Sequence, residues 1–135
     1  MRNSNNVFHL AIPCNDLDDA YDYYVFGLGC KLARRYDDRI TLDFFGDQVV
    51  CHKYPERTVK DEELEMYPRH FGITFYNKDE FDNLIELASN RGLKFYREPF
   101  VRFEGLSEEH ITFFLLDPSN NLLEFKYYYD HRMMY

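Results

Sequence analysis

The same order of sequence patterns occurs twice in this chain of 135 residues. Each half begins with a short apolar segment, continues with a stretch whose apolar residues recur at helical spacing, and ends with three more short apolar segments. Short apolar runs bounded by turn residues predict strands, and helical spacing followed by glycine predicts a helix that stops there. Both halves therefore predict the order βαβββ, and its recurrence after about sixty residues indicates an internal duplication.

The predicted strands of the first half cover residues 7–12, 30–36, 39–44 and 48–54, and its helix begins at the N-cap Asp16 and ends near Gly27 or Gly29. The second half has predicted strands at 70–76, 93–102, 110–116 and 121–128, and a predicted helix at 77–91. The charged stretch between Pro55 and Pro68 predicts a connection with one helical turn near 62–66. We therefore expect one compact domain with a first module at 1–54, a connection at 55–69, a second module at 70–128 and a tail at 129–135.

Charge and cysteine usage narrow the range of partners. The net charge of −8 argues against nucleic acid as a partner and disfavours an anionic membrane, because both require a basic surface. No stretch approaches the roughly 20 apolar residues that span a bilayer, and the polar N-terminus is unlike a signal peptide. Three cysteines without a Cys-x-x-Cys pair favour reduced thiols and a cytoplasmic location. The expected partner is a small molecule.

Three polar side chains interrupt the predicted apolar strands. His9 and His70 stand early in the leading strands of the two halves, and Glu124 stands in the last strand. An imidazole or a carboxylate is costly inside such a segment unless something pairs with it. A single strand histidine is usually a hydrogen-bonded core or edge residue, but two histidines with one carboxylate form the facial set that holds Fe(II) with open coordination positions. The three together therefore predict a metal site.

This layout resembles the vicinal oxygen chelate superfamily, which includes glyoxalase I, extradiol dioxygenases, fosfomycin-resistance proteins and bleomycin-resistance proteins. The resemblance implies an α+β fold in which two βαβββ modules form a shared open cleft that holds the metal. It also implies that the ligands lie on the first and last strands of each module, which here supply His9, His70 and Glu124. The resembling segments are His9-Leu10-Ala11-Ile12, Phe26-Gly27-Leu28-Gly29-Cys30, His70-Phe71-Gly72-Ile73, and the stretch from Phe113 through Asp117-Pro118-Ser119-Asn120-Asn121 to Glu124-Phe125.

The last strand of the first module departs from the glyoxalase I pattern. In that enzyme the resemblance implies a fourth, acidic ligand that also serves as base, whereas Val50 or Cys51 stands opposite Glu124 here, depending on the register. A set of three protein ligands is more similar to extradiol dioxygenases and fosfomycin-resistance enzymes. His52 stays open as a cavity residue or a weak ligand, because a register shift of one residue reverses its face.

Other polar residues are candidates for the site's periphery. His110 is either a surface histidine beside Glu108 and Glu109, the simpler interpretation, or an acid/base group that accepts a proton from the substrate. Lys126 lies on the strand face of Glu124, and Thr74 on that of His70. The candidate substrate-binding residues are His52, Thr74, Arg102 and Lys126.

We therefore expect a metal-dependent enzyme similar to the extradiol dioxygenases, acting on a small molecule with adjacent oxygens. Fe(II) is the favoured ion, and Mn²⁺, Zn²⁺ or Ni²⁺ are alternatives because ligand identity alone does not name the metal. A lyase, an epimerase or a thiol transferase on the same scaffold is a second interpretation. A metal-free binding protein of the bleomycin-resistance type is a third, and a structural module is a fourth. The tyrosines at 127–129, together with Met133-Met134-Tyr135 in the tail, predict a homodimer.

Overall fold

The computed structural model describes residues 3–135, which form two units with one four-stranded sheet each. The first unit comprises the chain up to Leu64 together with Asp117–Asn121, and the second comprises Glu65–Leu116 and Leu122–Tyr135. Each unit has the strand and helix order βαβββ, so the predicted α+β fold with two modules is confirmed. Among the described helices, none is long and apolar enough to cross a membrane.

The first unit contains strands β1 (His9–Cys14), β2 (Lys31–Arg35), β3 (Arg39–Phe44) and β4 (Asp47–Lys53). Their order in the sheet is β1-β4-β3-β2, with β1 parallel to β4 and the other pairs antiparallel. Pro13, which has no backbone N–H to donate, is tolerated in β1 because this strand lies at the edge of the sheet and pairs with β4 on one side alone. Two short 3₁₀ turns follow, at Pro55–Arg57 and Asp61–Glu63. The helical turn expected near 62–66 therefore lies slightly earlier.

The helix of the first unit changes its pitch. Asp16 caps α1 (Leu17–Tyr21) as predicted, since its carboxylate accepts hydrogen bonds from the amides of Asp18 and Asp19. The chain then continues as a π-helix over Asp22–Gly27 instead of the regular helix that the sequence predicts. Tyr23 and Tyr24, which are neighbours in sequence, are both buried in this segment.

The turn Asp117–Asn121 is built around one buried carboxylate. Asp117 accepts hydrogen bonds from the Tyr24 hydroxyl at 2.7 Å, from the Ser119 amide, and from the amide and side chain of Asn121. Burial raises the pKa of Asp117, and these hydrogen bonds oppose that rise because they favour the carboxylate. Asn121 also donates to the carbonyl of Pro13 at 2.9 Å, which fixes the end of β1.

The second unit contains strands β5 (Phe71–Phe75), β6 (Phe95–Arg102), β7 (His110–Leu116) and β8 (Leu122–Tyr128), in the order β5-β8-β7-β6. Its helix α2 (Lys78–Asn90) begins at the cap Asn77 and buries Phe81, Leu84 and Ala88. Phe81 packs against Phe113 of β7, with ring centroids 5.4 Å apart. The helix thus covers the face of the sheet that carries Phe113, and alternate strand residues point to the opposite face. The tail ends in a 3₁₀ turn at His131–Met134.

Candidate metal centre

Glu124 is a buried carboxylate in the middle of β8. Its side chain alternates with those of Leu123 and Phe125, so it lies on the face opposite α2. It is only 6% exposed, and it stands between Gly72 of β5 and Phe114 of β7 in the hydrogen-bonded register. A buried carboxylate needs partners that compensate for lost water.

Three side chains of the same unit supply those partners. The Thr112 hydroxyl donates to Glu124 Oε1 at 2.9 Å. His70 Nε2 lies 3.1 Å from Glu124 Oε2, and Lys126 Nζ lies 3.5 Å from the same oxygen. The predicted ligands His70 and Glu124 are therefore brought together directly, and Lys126 joins them.

The proton on His70 can be placed from its second contact. Nδ1 lies 2.6 Å from the carbonyl oxygen of Met66, which only accepts, so Nδ1 carries a hydrogen. In the neutral ring, Nε2 then presents a lone pair to Glu124 Oε2, which is also an acceptor. Two acceptors in contact require a proton or a cation that both of them bind. The Nε2 lone pair and the carboxylate together form a donor set that suits a divalent metal ion. The hydrogen bond from Nδ1 to a carbonyl is the contact that typically orients such a histidine ligand.

His9 shows the same arrangement in the first unit. It is an exposed residue of β1, and its Nδ1 lies 2.5 Å from Gln48 Oε1 on β4. Nδ1 donates to that amide oxygen, which leaves the Nε2 lone pair available. Within residues 3–135, neither unit alone gathers three His, Cys, Asp or Glu side chains as a metal-binding group. The complete set of His9, His70 and Glu124 therefore stays a prediction.

The strand registers identify the fourth position that the sequence left open between Val50 and Cys51. Two residues after His70, Gly72 pairs with Glu124. Two residues after His9, Ala11 pairs with Val50. Val50 therefore occupies in the first unit the position that Glu124 occupies in the second, and it offers no ligand atom. His52 lies on the same face as Val50, half-buried.

His110 is buried, so its interpretation as a surface histidine is wrong. It lies on the same sheet face as Glu124, its Nδ1 is 2.9 Å from the carbonyl oxygen of Glu108, and its ring packs on that of Tyr128 at 4.5 Å between centroids. Burial of this ring is what the sequence could not predict, because two adjacent glutamates indicated a solvated strand end.

Arg102 and Thr74 lie on this face as well, since they pair with His110 and Lys126. The guanidinium carbon of Arg102 is 5.4 Å from the ring centroid of Tyr67, and that ring packs edge-on against the His70 imidazole at 5.5 Å. Sequence reasoning did not identify Tyr67 or Thr112. Thr112 had one usable signal, its position two residues after His110 and hence on the same strand face.

Comparison with known proteins places the chain in a family. The glyoxalase/bleomycin resistance protein/dioxygenase superfamily matches residues 6–125. A crystal structure of a glyoxalase/bleomycin resistance protein/dioxygenase from Alicyclobacillus acidocaldarius is 70% identical, covers all of both chains and superposes with a TM-score of 0.94. The fosfomycin resistance protein FosX from Listeria monocytogenes is 12% identical, with 96% of this chain and 98% of that chain covered and a TM-score of 0.72, so it shares the fold. The glyoxalase domain-containing protein RDO1 of Mycosarcoma maydis is 25% identical over 90% of this chain and 68% of its own length. The chain belongs to the glyoxalase/bleomycin resistance protein/dioxygenase superfamily, also called the vicinal oxygen chelate superfamily.

Proposed function

We propose that this protein is a metal-dependent enzyme that acts on a small molecule with two adjacent oxygen atoms. His9, His70 and Glu124 are its proposed ligands, and Fe(II) is the favoured ion, with Mn²⁺, Zn²⁺ and Ni²⁺ as alternatives. The observation that carries the proposal is the contact of 3.1 Å between His70 Nε2 and Glu124 Oε2, because a cation bound by both atoms explains two acceptors in contact. When bound, such an ion lowers the pKa of a coordinated hydroxyl and polarises the oxygens that it binds.

The neighbouring side chains have distinct proposed roles. Thr112 holds the Glu124 carboxylate in one orientation, and Met66 and Gln48 hold the two imidazoles with Nε2 available. Lys126 places a positive charge 3.5 Å from the Glu124 carboxylate. His110 is the proposed proton acceptor. The proposed substrate-binding residues are His52, Thr74, Arg102 and Lys126.

Val50 favours a dioxygenase similar to the extradiol enzymes over a lyase. A lactoylglutathione lyase reaction requires a base for a carbon-bound proton, and the position that would supply a carboxylate carries an isopropyl group instead. Three protein ligands leave coordination positions for a bidentate substrate and for O₂. We further propose that the protein works in the cytoplasm as a homodimer.

Oxygen consumption tests this proposal. Protein reconstituted anaerobically with Fe(II) is mixed with catechol as the probe, and O₂ uptake is followed. We expect uptake that falls at least about tenfold in Glu124→Gln, since even the loss of a ligand's partner typically costs that much. Glu98→Gln, which changes an exposed glutamate of β6, is the matched control and should leave uptake unchanged. A robust lactoylglutathione lyase rate that disappears in His52→Ala would overturn the reaction class.

A metal-free binding protein of the bleomycin-resistance type is the second candidate. The contact between His70 Nε2 and Glu124 Oε2 also supports this candidate, because a protonated His70 would pair with Glu124 without any metal. Protein that binds no divalent ion and takes up no O₂ would support this candidate.

A further inference from the structure

A groove of about 470 Å³ lies on the first unit, beside the end of β1. Its residues come from three neighbouring segments, namely β1, the end of β4 with the residue after it, and the 3₁₀ turn Pro55–Arg57. The lining residues are Ala11, Ile12, Pro13, His52, Tyr54 and Arg57. None of the candidate ligands His9, His70 and Glu124 belongs to this lining, but His9 stands two residues before Ala11 on the same face of β1.

The polar side chains of the groove are basic. His52 and Arg57 line it, and no aspartate or glutamate does. Two other arginines of this unit are paired, since Arg35 bonds to Asp18 and Arg39 to Asp38. By contrast, the Arg57 guanidinium makes no hydrogen bond or ion pair to any residue in the described range 3–135. A chain with 24 acidic and 16 basic residues thus leaves an arginine without a carboxylate at a concave site.

The remaining walls are apolar. Ala11, Ile12 and Pro13 form consecutive positions of β1, and the half-exposed Tyr54 ring adds an aromatic surface. Small-molecule sites typically combine such surfaces with a few polar groups that fix orientation. A guanidinium offers several N–H donors in a planar fork that matches a carboxylate or a phosphonate, and an imidazole N–H adds one more.

We propose that this groove binds a small organic anion, with the anionic group on Arg57 and His52 and the apolar body against β1 and Tyr54. The groove shares His52 with the proposed substrate-binding residues, so the proposal rests on the proposed function and names the class of molecule bound on this side of the site. Its tests use metal-free protein, so their failure can be distinguished from failure of the metal centre. It assigns a ligand class, an aromatic or aliphatic carboxylate or phosphonate, to a site that the sequence did not predict beyond His52.

The first test compares three probes on metal-free protein by NMR titration. Benzoate combines charge and ring, benzamide keeps the ring without the charge, and acetate keeps the charge without the ring. Benzoate should bind at least about tenfold more tightly than either of the others, because charge-assisted hydrogen bonds and ring burial both contribute. Benzamide or acetate binding as tightly as benzoate overturns the proposal.

The second test locates the site with matched variants. The ring signals of His52, assigned by their absence in His52→Gln, should shift on benzoate addition. Arg57→Gln should weaken benzoate about tenfold, as expected for one charge-assisted contact. Arg34→Gln, at another exposed arginine of the same unit, should leave affinity unchanged. Unshifted His52 signals, unchanged binding in Arg57→Gln, or equal losses in the two arginine variants would each overturn the assignment. The probe comparison on the unsubstituted protein remains decisive if a variant fails to fold.

Discussion

Replacing Thr112 with valine removes one hydroxyl and almost no volume. Thr112 is fully buried in β7, and its hydroxyl lies 2.9 Å from Glu124 Oε1 and 3.2 Å from the carbonyl oxygen of Phe125. Valine leaves no cavity, so the measured effect reports the lost hydrogen bond. Of its three side-chain partners within residues 3–135, the buried Glu124 carboxylate would keep His70 and Lys126.

The expected loss has two components. A hydrogen bond to a charged, buried acceptor contributes about 1.5–3 kcal/mol, so the free energy of unfolding of the metal-free protein should fall by that amount. Losing a side chain that orients a metal ligand typically costs about 10–100-fold in metal affinity, and Thr112→Val should show a loss in that range.

Urea unfolding and competitive metal titration measure these two quantities. Thr41→Val is the matched control, because Thr41 is a buried threonine of β3 that pairs with Val50 instead of standing beside a carboxylate. It should lose less stability and no metal affinity. The reasoning would be refuted if Thr112→Val had the same free energy of unfolding as the unsubstituted protein. It would also be refuted if both threonine variants bound metal as tightly as the unsubstituted protein.

Three further predictions follow from other parts of the structure. Gly72→Ala should unfold at lower urea concentration and bind metal more weakly, because an added Cβ would stand 1.6 Å from the carbonyl oxygen of Glu124; an unchanged urea midpoint would contradict this. The three buried thiols should react with a disulfide reagent slowly in the native protein and rapidly in urea, since burial raises the pKa of Cys14 to about 11 and of Cys30 to about 12, and also raises that of Cys51. Sedimentation at micromolar concentration should show a dimer that is weakened when residues 131–135 are removed, because the truncation removes the fully exposed Tyr135, which lies beside the exposed Tyr76; a monomer in both forms would reject the dimer.

The repeated order of elements could be predicted from sequence because it rests on local patterns. Strand β3 and strand β7 have the predicted bounds, and Asp16 caps its helix as expected. Strand ends were less predictable, since hydrogen bonding across the sheet sets them. His70, for example, was expected to open its strand, whereas β5 begins one residue later, where Phe71 pairs with Leu123.

The partners of the candidate ligands could not be predicted, because they come from other strands and loops. Thr112 reaches Glu124 across the β7–β8 pair, and Tyr67 reaches His70 from the preceding loop. The reason for a glycine at position 72 also could not be predicted, because it lies in the close approach of the Glu124 backbone on the neighbouring strand, which excludes a Cβ at this position.

Metal content tests the central claim most directly. Protein purified without chelator, and without an affinity tag that binds metals, is analysed by elemental mass spectrometry before and after reconstitution with Fe(II). The account predicts a single divalent ion per chain in the unsubstituted protein and in Glu98→Gln, and a strong loss in His9→Gln, His70→Gln and Glu124→Gln. Full metal content in His9→Gln would contradict the proposed ligand set, and the absence of bound metal after reconstitution would contradict the metal centre itself.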